Sequence, residues 1–372
     1  MLNIIKKITI FLAVIICLLV LAAYGFNQNL VTLSEKDYSV EYFVDGNFIN
    51  QPPRAEDSPF KFFSILYRRF TQEREASRPE TPIPVRPITR AQLERLPDND
   101  VHVVKLGHSG LLIKAHEEYW LIDPIFSQRA SPFPFMGPER FHASPIAIEE
   151  LPSVSRILLT HNHYDHLDEE TIRQLDNDNL QYTVPLGVKA ELISWGVDPG
   201  RVSELGWWDA KAVKNGEVVL VPAQHFSGRG LSDRNKSLWG AWVIRLNDKR
   251  LFVSGDSGYF DGFKKIGRRY GPFNMAFIEN GAYASYWPDV HMTPAQTIQA
   301  TLDINASYLV PVHNSTFDLA FHPWFEPLEK ISAEASNANV KLLTPRFGEI
   351  INVQQPATFD TWWRDVMQPR YR

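Results

Sequence analysis

The chain has 372 residues, of which 44% are hydrophobic and 22% charged, so it can bury a large core, and global disorder is excluded. That length allows one large domain with extensions or two small domains. A formal net charge of -5 and the lack of a long basic run exclude nucleic acid as a first-choice partner, and the single cysteine, Cys17, excludes a disulfide framework and a cysteine-based metal cage.

Lys6 and Lys7 precede an uncharged apolar run from Ile8 to Gly25 in which only Thr9 is clearly polar. A run of that length serves as a membrane span or as the core of a signal peptide. The lysines stay cytoplasmic, which sends the chain after Phe26 outward. Residues 1–26 are therefore expected to be a signal anchor with the catalytic domain extracytoplasmic. The alternative is a signal peptide cleaved after Gly25, giving a secreted or periplasmic protein. Ile16 before Cys17 is too bulky for lipoprotein processing. Residues 27–100 read as a Pro-rich connector, because Pro52, Pro53, Pro59, Pro79, Pro82, Pro84 and Pro87 disfavour regular structure. Within it, the basic aromatic segment from Phe60 to Phe70 is suited to a lipid surface or to docking on the catalytic domain.

From Val101 onward, short apolar runs predict strands at 101–106, 110–115, 119–123, 156–160, 217–223, 239–246, 250–255, 275–280 and 307–312. Helical patterns fall at 168–176, 187–195, 294–303 and 324–337, the third with Thr293 as N-cap and Pro294 at its first position. This order predicts an α/β domain over 101–350, with sheets packed face to face and helices outside, followed by a tail at 351–372. Chemistry-bearing residues follow strand ends, where a rigid sheet presents loops to a shared site.

The strongest signal is His161-Asn162-His163-Tyr164-Asp165-His166, directly after the run RILLT. Residues two apart in extended chain point the same way, so His161 and His163 can grip one ion, while Asp165 and His166 can aim at a second. Imidazole and carboxylate suit zinc, iron or manganese. With 11 histidines in the chain, chance occurrence of this pattern is on the order of one in a million per position. The remaining ligands should follow other strands: His225 follows EVVLVPAQ, Asp256 follows RLFVSG and His313 follows SYLVPV. His108, in a Gly-His-Ser-Gly turn, reads as a structural or rim residue. His102, His116, His142 and His322 fit no pattern that gives them a role.

These motifs resemble the metallo-β-lactamase superfamily, in the branch that contains N-acyl-phosphatidylethanolamine-hydrolysing phospholipase D and, further off, ascorbate-6-phosphate lactonase. The stretches that carry the resemblance run from about Val101 to about Phe347 and include LGHSGLLI, DPIFSQRASPFPFMGPERF, THNHYDHLD, NKSLWGAW and VHMTPAQ. The resemblance implies a four-layer αββα sandwich with two metals at one edge. It implies His161, His163 and His225 on the first metal, Asp165, His166 and His313 on the second, and Asp256 bridging. It also implies that Asp123 steadies the histidine loop from behind. Asn314-Ser315-Thr316 depart from the turn expected after His313, which bears on substrate choice.

Two transition-metal ions, zinc by donor set, can hold a bridging water as hydroxide and polarise a phosphoryl oxygen. Asp256, Asp165 and His291 are the expected catalytic residues, with His291 donating a proton or binding a phosphate oxygen. Arg229, Arg234 and Lys236 are candidates for neutralising phosphate, or plain solvent-facing charges. The expected function is a phosphodiesterase of phospholipase D type acting on a membrane lipid. The alternatives are a lactonase or other ester hydrolase and, more weakly, a non-catalytic envelope scaffold.

Overall fold

The computed structural model describes Gly25, residues 36–53, 64–65, 67–69 and 71–371. The apolar run as far as Tyr24, with Cys17, and most of the segment from Phe60 to Phe70 lie outside the described residues. Among the described residues no helix is long and apolar enough to cross a membrane.

A small hairpin comes first, β1 (Phe43–Val44) and β2 (Asn47–Phe48). The following strands are β3 (Val101–Gly107), β4 (Gly110–Ala115), β5 (Glu118–Ile122), β6 (Val154–Leu158), β7 (Gln181–Pro185), β8 (Val202–Leu205), β9 (Ala210–Val213) and β10 (Gly216–Val221). They continue with β11 (Ala241–Leu246), β12 (Lys249–Val253), β13 (Met275–Glu279), β14 (Leu309–Val312) and β15 (Ile350–Asn352). The α-helices are α1 (Arg90–Glu94), α2 (Glu169–Leu175), α3 (Lys189–Ser194), α4 (Gly262–Tyr270), α5 (Pro294–Asp303), α6 (Glu326–Asn337) and α7 (Trp363–Val366).

Besides that hairpin, the described residues form one sheet of seven strands in the order β15-β3-β4-β5-β6-β7-β8 and one of six in the order β14-β13-β12-β11-β10-β9. Alternation along each strand sends side chains to opposite faces. Val103, Ile113, Trp120 and Ile122 of the first sheet meet Leu220, Trp242, Ile244, Val253 and Phe277 of the second between the layers. The opposite face of the first sheet, with Val104, Leu112 and Leu121, packs on Ile172 of α2 and Leu192 of α3. The outer face of the second, with Val219, Val243 and Phe252, packs on Phe263 and Ile266 of α4, Ile298 of α5 and Ile331 of α6. Each such side chain contributes about 1.5–3 kcal/mol by leaving water. The result is the expected αββα sandwich, and burial of both sheet faces explains why the strands read as nearly continuous apolar runs.

In their described parts, the connector and the C-terminal tail pack on the domain. Tyr42 and Phe48 join the core between the sheets, and Ile88 and Leu93 pack under the first sheet. Trp362 and Trp363 of the C-terminal stretch are buried against Ile83, Trp324, Leu328 and Phe347. Arg69 pairs with Asp318 at 3.0 Å, and Arg68 lies 4.7 Å from the centre of the Tyr286 ring. These two arginines therefore dock on the domain and do not stand free for lipid. Short regular elements, the β1–β2 hairpin, α1 and α7, survive among the prolines, and apolar anchors tie these stretches to the core.

Candidate metal centre

β5 and β6 run parallel, so their ends deliver residues to the same edge of the sheet. Asp123 follows β5, fully buried, and accepts from Thr160 N at 2.8 Å and from Thr160 Oγ1 at 2.6 Å. Its Oδ2 also accepts from His166 Nδ1 at 2.7 Å, which turns His166 Nε2 towards the centre. Asp123, His108 and His313 have φ of 43°, 45° and 62°, in the left-handed region that residues other than glycine seldom occupy, so the fold holds local backbone strain at this edge. Gly255 sets up Asp256: at its φ of 55°, a Cβ would lie 2.7 Å from Thr160 Cβ.

All seven expected ligands converge. Nitrogen atoms of His161 and His163 are 2.9 Å apart, and those of His225 and His163 are 3.2 Å apart. Asp256 Oδ2 lies 3.8 Å from His161 Nε2 and 3.7 Å from His225 Nε2. On the other side Asp256 Oδ1 is 3.1 Å from His166 Nε2, and Oδ2 is 3.1 Å from His313 Nε2. His313 Nε2 is also 3.1 Å from Asp165 Oδ2. Asp256 thus touches both groups of donors. Thr160 Oγ1 lies 3.0 Å from His161 Nδ1 and the Val290 carbonyl 3.1 Å from His225 Nδ1, leaving Nε2 of each ring directed inward.

The donor set fits cations. Around a tetrahedral ion with bonds of about 2.0–2.1 Å, neighbouring donor atoms stand about 3.3 Å apart. Among the described residues, the ion pairs of Asp165 and Asp256 are all with histidines, not with lysine or arginine. His166 Nε2 and Asp256 Oδ1 are sealed from solvent and make no hydrogen bond, as expected of atoms that serve an ion.

Electrostatics separate the two groups. Burial, with neighbouring histidines adding to it, holds His161 well below the usual histidine range. Burial also lowers His163 to about 4 and pushes His225 well down. Neutral imidazoles of this kind are ready ligands. Burial would raise Asp165 and Asp256, but the surrounding histidines, His166 foremost, outweigh it and hold both well below the carboxylate range. Burial would lower His166 and His313, but Asp256 leads the carboxylates that outweigh it, driving His166 well up and His313 to about 10. The second group therefore demands positive charge, which a metal ion supplies in place of protons.

His108, read from the sequence as a structural or rim residue, does not stand at the rim. It is buried, and its Nε2 lies 3.0 Å from Asp165 Oδ2, so Asp165, His166, His313 and His108 form one compact group of donors. A lone histidine in a turn carries no sequence signal of this. The hydrogen bond from His313 N to His108 O, 3.1 Å, brings the β3–β4 turn to the end of β14. His291 Nε2 faces Asp256 Oδ2 at 3.9 Å, and the ring belongs with Asp256 and His313 to a third group of donors. Arg229 does not face the centre: it is buried behind the histidine loop, donating to Asn162 O at 2.9 Å and Leu167 O at 2.7 Å. Arg234 lies over the Phe226 ring, and Lys236 donates to Gly46 O at 2.7 Å. His102, His116, His142 and His322 stand outside the three donor groups, His142 stacked on Phe347.

The chain is similar to known proteins in sequence and fold. The model of the beta-lactamase superfamily domain matches residues 119–314. An uncharacterised protein of Mycobacterium tuberculosis is 38% identical over 329 residues, covering 87% of each chain. N-acyl-phosphatidylethanolamine-hydrolyzing phospholipase D 1 of Caenorhabditis elegans is 31% identical over 288 residues, 73% of this chain and 80% of the relative. Among solved structures, isothiocyanate hydrolase from Delia radicum gut bacteria superposes with a TM-score of 0.55 at 19% identity, over 67% of this chain and 98% of that one. The chain belongs to the metallo-β-lactamase superfamily, where it resembles N-acyl-phosphatidylethanolamine-hydrolysing phospholipase D, and it is a metal-dependent hydrolase.

Proposed function

We propose that this hydrolase is a two-metal phosphodiesterase of the phospholipase D type that cleaves a membrane phospholipid resembling N-acyl-phosphatidylethanolamine. The observation that carries the reading is the pair of donor groups joined by Asp256, with His291 alongside, in a chain 31% identical to a phospholipase D over 288 residues. His161, His163 and His225 would hold one ion, Asp165, His166 and His313 the other, and Asp256 both. The nitrogen-rich donor set favours zinc. When bound, such ions acidify a water and polarise a phosphoryl oxygen.

The chain's own residues do the rest. Asp123 and the Val290 carbonyl fix the rings of His166 and His225. Asp165 lies on the more open side, its side chain 15% exposed against 2% for Asp256, and so meets the substrate side of the centre. Water adds its oxygen to phosphorus and gives up a proton to solvent, the bond from phosphorus to the leaving oxygen breaks, and His291 Nε2 gives that oxygen a proton and is later reprotonated from solvent. Beside the histidine loop a cavity of about 450 Å³ is lined by Ser127, Arg129, Phe133, Tyr164, Trp195 and Arg229. Phe135, Met136 and Leu231, on loops that also contribute to the cavity wall, are among the most exposed large apolar side chains described. That arrangement favours a substrate presented by a lipid surface. Anchoring by residues 1–26, with the catalytic domain outside the cytoplasm, completes the proposal.

Purified chain loaded with zinc should hydrolyse bis(p-nitrophenyl) phosphate and N-acyl-phosphatidylethanolamine in vesicles, releasing phosphatidic acid from the lipid. Rapid opening of lactones with no phosphodiester cleavage would replace this reading with a lactonase.

A further inference from the structure

Glu279 ends β13 and is fully buried. Its backbone is fixed on both sides: its N–H donates to Ser254 Oγ at 2.9 Å, and its carbonyl accepts from Thr297 Oγ1 at 3.0 Å. One carboxylate oxygen, Oε1, accepts from Met292 N at 2.5 Å. The other, Oε2, is sealed from solvent and has no hydrogen-bond partner. Facing it at 3.5 Å is His291 Nδ1, equally buried and equally without a partner. The opposite nitrogen of that ring, Nε2, faces Asp256.

A buried carboxylate oxygen left without a donor loses its hydration with nothing in return, so a partner within reach is strongly favoured. A ring displacement of about 0.5 Å would bring this pair to hydrogen-bond distance. Hydrogen bonding at one ring nitrogen decides what the other can do. We propose that Glu279 is the positioning residue for His291: Oε2 holds the proton on Nδ1 and fixes the ring, so that Nε2 carries the proton delivered to the leaving oxygen. Proton accounting is simple. The leaving oxygen gains the Nε2 proton, and Nδ1 keeps its own, held against Glu279 Oε2. This rests on the reading of His291 as the proton donor.

Glu279→Gln separates positioning from support, because the amide oxygen can still accept from Met292 N. The amide NH2 then faces His291 Nδ1, which must become an acceptor. A neutral ring carrying its only proton on Nε2 is too weak an acid to assist departure. Zinc-loaded E279Q should lose about 10²–10⁴-fold on a dialkyl phosphodiester lipid yet stay within about 3-fold on bis(p-nitrophenyl) phosphate, whose leaving group scarcely needs a proton. Nitrogen-15 NMR of the His291 ring should show Nδ1 protonated in the parent and unprotonated in E279Q, with zinc content equal. Equal losses on the two substrates, or an unchanged ring signature, overturn the proposal. An unprotonated Nδ1 in the parent overturns it without any variant, which covers the case in which E279Q fails to fold. His291→Ala tests the underlying reading separately. If H291A loses equally on both substrates, His291 is not the donor. If H291A discriminates between them and E279Q does not, only the role of Glu279 falls.

Discussion

Asn50 brackets His225: its Oδ1 accepts from His225 N at 3.0 Å, and its Nδ2 donates to His225 O at 2.8 Å. Both contacts are buried, and they join residues 175 positions apart in the chain. A side chain from the Pro-rich N-terminal stretch therefore fixes the backbone of a proposed metal ligand. Asn50→Ala leaves a buried N–H and C=O unpaired, a cost of about 1–3 kcal/mol. Part of that cost should appear as a fall in zinc affinity of roughly 10–100-fold, the usual scale for a lost ligand support. Competition with a chromophoric chelator measures it. Unchanged affinity would show that the bracket is not needed to hold His225.

Lys105 gives a pH dependence with a defined sign. Its Nζ is buried and donates to Pro311 O at 2.9 Å, and burial lowers it from the usual 10.5 to about 7. Between those values the unfolded chain holds more protons than the folded one, so this lysine's contribution to stability rises with pH. Below about pH 7 the penalty for the buried charge is fully present, and above about 10.5 it is gone. The denaturant midpoint of the parent, taken relative to Lys105→Met, should therefore rise as pH increases from about 7 to about 10, with about 1.4 kcal/mol per pKa unit as the upper bound. A difference that stays flat across that window would contradict the assignment.

The C-terminal stretch is part of the core. Trp363 is fully buried, and its Nε1 donates to Glu329. Trp363→Ala should cost about 3–5 kcal/mol in chemical unfolding, the range for emptying a buried aromatic site. A cost under about 1 kcal/mol would mean that α7 does not hold its place in solution.

Topology is tested in cells. Protease added to intact spheroplasts should digest the catalytic domain if the lysines ahead of the apolar run keep the N-terminus inside. Full protection, or recovery of the full-length chain from soluble cytosol, would refute the proposed anchoring.

Much of the site was legible because its signals are local. The H-x-H-x-D-H pattern lies within one loop, and His225, Asp256 and His313 follow runs that are apolar because both sheet faces are buried. α5 matches its expected bounds, since Thr293 caps it with Gln296 in a capping box. What was not legible depends on distance or on overridden propensity. His108 joins the donor group of Asp165, His166 and His313 only through the packing of one turn against β14, and Asn50 and Glu279 carry no pattern at all. α4 was missed because Gly262 and Gly267 argue against a helix. Gly267 is there for contact: a Cβ would lie 2.1 Å from Asp303 O at the end of α5. β7 (Gln181–Pro185) and β8 (Val202–Leu205) were missed because Gln181 and Thr183 in one, and Ser203 and Glu204 in the other, break up the apolar run.

Metal stoichiometry distinguishes a two-metal centre joined by Asp256 from a single-ion site or none. Elemental analysis of the purified chain, reconstituted with zinc and freed of excess ion, should give about two transition-metal ions per chain. Asp256→Asn, which removes one charge from the shared ligand, should lower that number and abolish most of the phosphodiesterase rate. Fewer than about one ion per parent chain after reconstitution, or full metal and full rate in D256N, would contradict the account.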